Sequence, residues 1–143
     1  MQYAKYLLEE HLRLLVAKPE EGQKLYAADA VLGYPYAYSI GLTAKIEGTE
    51  AIVKHMQRVM SLLRNVTIFN VRITLEGEDS VVGEYELAAE VVSTGKEYRQ
   101  KYISVLTAKE GKIVLLREYW NPLEATKSFG DSLLVVGQSA GKM

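Results

Sequence analysis

The sequence contains no cysteine, only two histidines and only three prolines, and it has no excess of charge of either sign. The absence of cysteine excludes disulfide bridges, a thiol nucleophile and every metal site built from thiolates. Because two histidines are too few for a histidine-rich metal site, we predict neither a metal nor a cofactor. Seventeen Lys and Arg residues against 18 Asp and Glu residues give a formal charge of −1, so no basic surface for nucleic acid is expected.

Long apolar runs are missing as well. No segment approaches the ~20 apolar residues of a membrane helix. The first fifteen residues carry Glu9, Glu10 and Arg13, unlike a cleavable signal. We therefore expect a cytoplasmic protein that binds neither membranes nor nucleic acid. Its 143 residues fit one domain, which we place at residues 1–130, followed by a C-terminal tail at 131–143.

The first half of the chain shows helical periodicity. Apolar residues at helical spacing predict one helix over 3–16 and another over 49–64. A proline followed by two glutamates predicts a short helix over 19–29. Residues 30–37 contain a glycine and Pro35, which favours a short edge strand followed by a loop.

The second half alternates with period two. Four segments rich in Val, Ile, Thr and Tyr, at 66–76, 81–92, 98–108 and 113–121, predict strands. Short connections containing glycine join them, which indicates an antiparallel meander. A further short helix is expected at 123–129. Helices followed by such a sheet indicate an α+β fold.

The second of these strands has two chemically different faces. Glu84, Glu86 and Glu90 line one face, and the other face is apolar. We expect helices to cover the glutamate face and form a pocket in which these carboxyl groups act as general acids or bases. The alternative is that the glutamate face is simply solvated, with the helices packed on the apolar face. The apolar face carries Tyr85, Leu87, Ala89 and Val91.

If helices cover the glutamates, the apolar face of the sheet still needs a partner. The preceding strand adds Phe69, Val71, Ile73 and Leu75 to that face. So large an apolar patch is unusual for a soluble monomer, and the simplest cover is a second copy. We therefore predict a homodimer formed through the sheet.

Two motifs suggest a family. They are LYAADAV at 25–31 and EGKIVLLREYWNP at 110–122, in the order helix, helix, short strand, helix, meander. With them the chain resembles the SnoaL-like branch of the nuclear transport factor two-like superfamily. The resemblance extends to ketosteroid isomerases, limonene epoxide hydrolases and phenazine-biosynthesis A/B-type proteins. It implies a curved antiparallel sheet wrapped around N-terminal helices to form a conical pocket, a cystatin-like roll.

The same resemblance implies a function. The expectation is a small-molecule-binding, cofactor-free acid/base enzyme of the isomerase, cyclase or hydrolase type, acting on a small hydrophobic metabolite. The alternative is a non-catalytic ligand-binding or protein-interaction module of the same fold, because one scaffold serves several chemistries.

The resemblance also points to individual residues. Glu118 stands where the epoxide hydrolases have an in-strand aspartate and the phenazine-type proteins a catalytic glutamate. Glu84 and Glu86 fall near the arginine and aspartate that complete the hydrolase site. Tyr34 occupies the position of the proton-shuttling aspartate of the isomerases, and Trp120 matches an aromatic residue of the pocket wall.

Further candidates come from their positions in the predicted elements. His55 lies on a helix that covers the pocket, so it can shuttle protons near neutral pH. Tyr34 and Tyr36 would point the same way if that segment is extended. Hairpin register decides whether Tyr102 or Ile103 shares the face of Glu118. The predicted catalytic residues are Glu118, Glu86 and His55, and the predicted ligand-binding residues are Tyr34, Tyr36, Glu84, Trp120 and Tyr102. We expect the other histidine, His11, on a helix surface.

Overall fold

The structure is a computed structural model and describes residues 3–133. Within this range there are three α-helices: α1 (Tyr3–Ala17), α2 (Thr49–Ser61) and α3 (Pro122–Phe129). Three short 3-10 helices cover Pro19–Leu25, Ala37–Ile40 and Gly130–Ser132. The predicted helices over 3–16, 49–64 and 123–129 are thereby confirmed, with small differences at their ends. The division into a domain and a tail stays a prediction, because most of the tail lies outside the described residues.

Six strands form one curved, mixed sheet that does not close into a barrel. They are β1 (Tyr26–Gly33), β2 (Lys45–Glu47), β3 (Leu63–Leu75), β4 (Ser80–Val91), β5 (Glu97–Lys109) and β6 (Lys112–Trp120). Their order is β2-β1-β6-β5-β4-β3. Strands β3 to β6 form the predicted antiparallel meander, while β1 lies parallel to β6. The predicted α+β class is confirmed.

The segment between α1 and α2 differs from the prediction. The helix expected over 19–29 is a 3-10 helix that ends at Leu25, because Tyr26 already begins β1. This strand is also not at an edge, since β2 pairs with one side of it and β6 with the other. Pairing with β6 supplies partners for the β1 backbone and overrides the local glycine and proline signals. The edge strand β2 was not predicted.

The helices pack on the apolar face of β4, which corrects the expectation that they cover its glutamates. We call the sheet surface that carries Tyr85, Leu87, Ala89 and Val91 the inner face, and these four residues are buried. We call the opposite surface, with Glu84 and Glu86, the outer face. Burying each large apolar side chain contributes about 2 kcal/mol, whereas burying unpaired carboxylates costs free energy, so this orientation is the stable one.

Two bulges change the alternation in β3. Asn65 and Asn70 have positive φ angles of 54° and 53°, and the register with β4 shifts beside each of them. An extra residue in one strand moves the side chains that follow it to the other face. As a result Phe69 and Val71 lie on the outer face, whereas Ile73 packs against the inner core. The predicted single apolar row from Phe69 to Leu75 is therefore wrong.

Helix α1 lies close to the sheet at Gly83. A Cβ atom at this position would be 2.5 Å from Cδ2 of Leu8 on α1. Gly83 is paired with Ser104 of β5, and Ser104 is paired with Glu118 of β6. We call these three residues the central row. Its small members allow α1 to cross the inner face beside Glu118.

Candidate active site

A cavity of about 90 Å³ lies on the inner face, between the sheet and helices α2 and α3. Its lining is mainly apolar, with one carboxylate, Glu118, and several hydroxyl groups. The lining residues used below are Tyr34, His55, Met56, Met60, Tyr85, Tyr102, Glu118 and Trp120. An apolar cavity with few convergent polar groups is the usual form of a small-molecule site.

Glu118 is held at the base of this cavity by strand pairing. It lies on β6 and is 6% exposed. The hydroxyl of Tyr85 on β4 donates a hydrogen bond to Oε2 of Glu118 over 3.0 Å. Oγ of Ser104 lies 2.6 Å from the same tyrosine oxygen. Because a phenol has one hydrogen, the Ser104 hydroxyl is the donor to Tyr85. Serine, tyrosine and glutamate therefore form a chain of donors that ends on the carboxylate.

The charge of Glu118 acts on the tyrosines around it. Burial is the main cause that raises the pKa of Tyr34, Tyr85 and Tyr102, and the negative charge of Glu118 raises each of them further. All three hydroxyls thus keep their protons at neutral pH and act as hydrogen-bond donors. The cavity combines a single carboxylate with phenolic donors.

A second pair of polar groups comes from α2 and the segment after β1. His55 is 1% exposed, and its Nε2 atom lies 2.9 Å from the hydroxyl oxygen of Tyr34. Burial lowers the pKa of His55 to about 4, against a smaller opposing effect of the Glu118 charge. His55 is therefore neutral at neutral pH, and its Nε2 atom shares a hydrogen bond with the Tyr34 hydroxyl. The Tyr34 ring also packs edge-on against Trp120, with the ring centroids 5.7 Å apart.

Five of the eight predicted site residues line this cavity. They are Glu118, His55, Tyr34, Trp120 and Tyr102. The β5–β6 register pairs Tyr102 with Trp120 and Ser104 with Glu118, so Tyr102 faces inward. Ile103 faces outward and is 45% exposed. The hairpin register left open by the sequence is thus resolved in favour of Tyr102. The roles of these residues stay predictions.

The other three predicted residues lie on the outer face. Glu84, Glu86 and Tyr36 border a separate surface hollow of about 910 Å³. Oε2 of Glu86 accepts a hydrogen bond from Asn70 over 2.7 Å. None of the three lines the helix-covered cavity, so their expected place there is wrong. Glu84 and Glu86 lie outside the cavity because the helices cover the opposite face of β4.

Tyr36 is displaced for a different reason. The chain turns after Tyr34, and the Ala37 amide donates to the Tyr34 carbonyl over 3.0 Å. The segment is therefore not extended, and the two tyrosine side chains diverge. Tyr34 points into the cavity, while Tyr36 is 51% exposed and packs against Tyr119.

Sequence reasoning missed four groups close to Glu118. Tyr85 and Ser104 were hidden by the wrong choice of face for β4, although the simple rule that the apolar face is buried would have found them. His11 was expected on a helix surface but is 4% exposed. Its Nδ1 atom lies 2.9 Å from the hydroxyl of the buried Tyr26. Its edge position in the apolar stripe of α1 was the available signal.

Two general features complete the site description. Among residues 3–133, no group of three or more His, Asp or Glu side chains is arranged to hold a metal ion. None of the helices in the same range is long and apolar enough to cross a membrane.

The helices, the curved sheet and the cavity they cover form a nuclear transport factor two-like fold, in agreement with solved structures of that fold. The sequence model of a SnoaL-like domain matches residues 14–116. The chain therefore belongs to the SnoaL-like family, as its sequence resemblance predicted.

Individual relatives agree with this assignment. The chain is 31% identical to the uncharacterised protein YesE of Bacillus subtilis over 96% of its length and 89% of the relative. It is 33% identical to an uncharacterised PhzA/B-like protein of Pseudomonas aeruginosa, over 89% of this chain and 90% of that protein.

Solved structures show the same fold. A crystal structure from Bacillus subtilis is 28% identical, covers 90% of this chain and 93% of its own, and has a TM-score of 0.80. An LEH-like epoxide hydrolase of M. tuberculosis is 18% identical, with 94% of each chain covered and a TM-score of 0.69. At that identity the hydrolase is evidence for the fold alone.

Proposed function

We propose that this protein is an acid/base enzyme that works without a cofactor on a small, mainly apolar metabolite. In this proposal Glu118 removes a proton from the bound substrate and returns it at a second atom. The overall reaction is then an isomerisation or a cyclisation. In a hydrolysis Glu118 instead takes the proton from the attacking water and returns it to the oxygen of the bond that breaks. The observation that carries the proposal is the position of Glu118 as the single carboxylate among the described residues that line a mainly apolar cavity.

The surroundings of Glu118 support a role in proton transfer. Carboxylates are effective bases when they are desolvated and positioned by donors. Tyr85 fixes one carboxylate oxygen, and the Tyr34–His55 pair supplies a second proton-exchanging unit in the same cavity. Because His55 is neutral, one of its ring nitrogens is free of a proton, and in this proposal the ring exchanges protons with the Tyr34 hydroxyl. Glu86, the second predicted catalytic carboxylate, has no part in this scheme.

The lining indicates the kind of substrate. Tyr102, Trp120 and the tyrosine rings offer flat apolar surfaces, and Met56 and Met60 of α2 are flexible side chains that adapt to different shapes. The polar contacts available to a ligand are phenolic donors and one carboxylate. A small ketone, lactone, enone or epoxide with an apolar body matches this set.

A matched pair of variants tests the proposal. Enones, lactones and epoxides with apolar substituents are assayed for turnover, and binding is followed by isothermal calorimetry. For any compound that is turned over, Glu118→Gln should lower kcat by at least about 100-fold, the usual effect of losing a general base. Glu86→Gln makes the same chemical change on the outer face and should leave kcat within about twofold.

The outcomes distinguish an enzyme from a non-catalytic binding module. Equal turnover in Glu118→Gln and wild type would contradict the proposed role of Glu118. Ligand binding without turnover of any compound class would instead favour the non-catalytic binding module. A fall of kcat at acidic pH that disappears in Glu118→Gln would support catalysis by a base at this position.

The proposal includes a homodimer formed through the outer face. The apolar face through which the dimer was predicted is covered by the helices, because Tyr85, Leu87, Ala89 and Val91 belong to the core. The face of the sheet left for a partner is therefore the outer one. What supports a partner is a smaller patch in which Val71 and Ile103 are 44% and 45% exposed. Light scattering should give about 32 kDa, twice the 16.0 kDa of the chain, and Val71→Glu should lower it towards 16.0 kDa. A monomeric wild-type protein would contradict the dimer.

A further inference from the structure

His11 lies beside the carboxylate of Glu118. Its ring comes from α1 and is 4% exposed. Nε2 of His11 lies 3.6 Å from Oε2 of Glu118 and makes no hydrogen bond within residues 3–133. A buried polar nitrogen without a partner costs free energy, so its place beside a carboxylate requires an explanation.

The other ring nitrogen of His11 contacts Tyr26. Burial and the charge of Glu118 both raise the pKa of the Tyr26 hydroxyl, which therefore remains protonated. This hydroxyl lies 2.9 Å from Nδ1 of His11. When the phenol donates to Nδ1, the proton of a neutral imidazole must be on Nε2. If the ring is protonated, both nitrogens carry a proton. In both of these states an N–H group faces Glu118, whereas a neutral ring protonated on Nδ1 would direct a lone pair at it.

The two oxygens of Glu118 are then unequal. Oε2 receives the hydrogen bond of Tyr85 and faces the Nε2–H group of His11. Oε1 makes no hydrogen bond to the described residues, although Glu118 lines the cavity. Donors on one oxygen fix the rotation of the carboxylate and favour its charged form.

The close approach of α1 to the sheet produces this contact. Leu8 lies over Gly83 at one end of the central row, and His11 follows Leu8 by three residues, on the same side of α1. The row runs from Gly83 through Ser104 to Glu118. A side chain at Gly83 would push α1 away and carry His11 with it.

We propose that His11 is a positioning residue that, together with Tyr26, holds Oε2 of Glu118 and leaves Oε1 as the oxygen that exchanges protons with the substrate. This assignment deepens the proposed function and rests on it for the identity of the reacting group. The titratable groups facing Glu118 are His11 of α1, Tyr26 of β1, Tyr85 of β4, Tyr98 and Tyr102 of β5, His55 of α2 and Tyr34 after β1.

The first measurement needs no substrate and no variant. Nitrogen-15 NMR of the wild-type protein reports which ring nitrogen of His11 carries the proton, with the signal assigned by its loss in His11→Gln. We expect Nε2–H, or a ring protonated on both nitrogens. A neutral ring protonated only on Nδ1 would overturn the proposal, because it directs a lone pair at Glu118.

The second measurement follows the protonation of Glu118 itself. Carboxyl carbon-13 NMR of glutamate-labelled protein gives its midpoint, with the signal assigned through Glu118→Gln. His11→Phe keeps a buried ring but has no donor, and we expect Glu118 to bind protons about tenfold more tightly. His11→Gln retains an N–H donor, so its Glu118 midpoint should lie between those of His11→Phe and the wild-type protein. Tyr26→Phe removes only the hydroxyl and should move the His11 proton off its fixed position.

These results separate the two proposals. An unchanged Glu118 midpoint in folded His11→Phe overturns the positioning role, whatever the effect of Glu118→Gln on turnover. A shifted midpoint together with full turnover in Glu118→Gln would support the pairing and contradict the proposed function. If His11→Phe does not fold, as judged by circular dichroism, Tyr26→Phe and the wild-type nitrogen spectrum decide the question.

Discussion

The inner and outer faces of one sheet give the same amino acid opposite environments. Glu118 on the inner face is 6% exposed, accepts from a buried tyrosine and is the single carboxylate of its cavity. Glu86 on the outer face, on a strand of the same sheet, is paired in register with Lys101 and accepts from Asn70. The comparison shows that the chemistry of a strand glutamate depends on what covers its face. Alternation alone does not reveal this.

The largest difference between the faces should come from placing an amide on each. Leu106 and Ile103 lie on the same strand, β5, and are 0% and 45% exposed. Leu106→Gln buries an amide without partners and should lower the free energy of unfolding by about 4 kcal/mol. Ile103→Gln should change it by less than about 1 kcal/mol. Urea unfolding followed by circular dichroism measures both, and similar losses would contradict the assignment of the faces.

Low pH should lower the stability of the folded protein through His55 on the inner face. Its pKa falls from the usual 6.5 to about 4 on folding. Between these values the unfolded chain binds a proton that the folded protein does not, so stability is full above pH 6.5 and falls as the pH is lowered. The loss should reach about 3 kcal/mol near pH 4.

Comparing wild type with His55→Asn isolates this effect. Urea unfolding at pH 7 and at pH 4.5 gives the change in the free energy of unfolding between the two pH values for each protein. Carboxylates elsewhere contribute equally to both proteins. The wild-type protein should show the steeper loss. An equal loss of unfolding free energy in the two proteins would mean that His55 is not buried in the neutral form.

The contact between α1 and the inner face can be disturbed at Gly83. Gly83→Ala brings a methyl group to within 2.5 Å of a buried Leu8 atom. Overpacking of this kind should cost about 2 kcal/mol. The matched control is Gly77→Ala, since a Cβ there meets nothing within 4 Å. If thermal unfolding shows equal midpoints for the two variants, α1 does not lie as close to β4 as described.

The smallest effect is expected for an outer-face ion pair. Arg64 and Glu90 contact each other across β3 and β4, with side chains 55% and 35% exposed. Exposed pairs contribute about 0.5 kcal/mol and are screened by salt. Arg64→Gln should therefore lose no more than this at low salt, and the difference should vanish in 1 M NaCl. A loss as large as that of Gly83→Ala would show that the outer face is covered.

The sequence allowed the elements to be predicted better than their orientation. Periodicity located α1, α2 and the four meander strands, because their apolar spacing is regular, and α3 was expected after the last strand ends. The face of β4 was assigned wrongly because its aligned glutamates were given more weight than its apolar residues. The bulge at Asn70 could not be predicted from alternation, since it interrupts the alternation itself.

The candidate site was predicted in part, for a related reason. Glu118, Tyr34 and Trp120 were found through the family resemblance and His55 through its helix, and all four line the cavity. His11 and Tyr26 were not, because their contact joins two segments whose approach depends on tertiary packing. Residues whose position depends on a single strand or helix could be predicted. Residues brought together by the packing of two elements could not.

The parallel pairing of β1 with β6 has a consequence for how the protein folds. Val31 is paired with Leu115, 84 positions further along the chain, whereas β3 to β6 connect through short turns. Closing so long a loop is entropically costly and slow, and local hairpins form faster. We expect the meander to fold first and β1 to dock last. Tyr26 and Tyr34 arrive with that final step, so the cavity is completed only when the two ends of the domain meet.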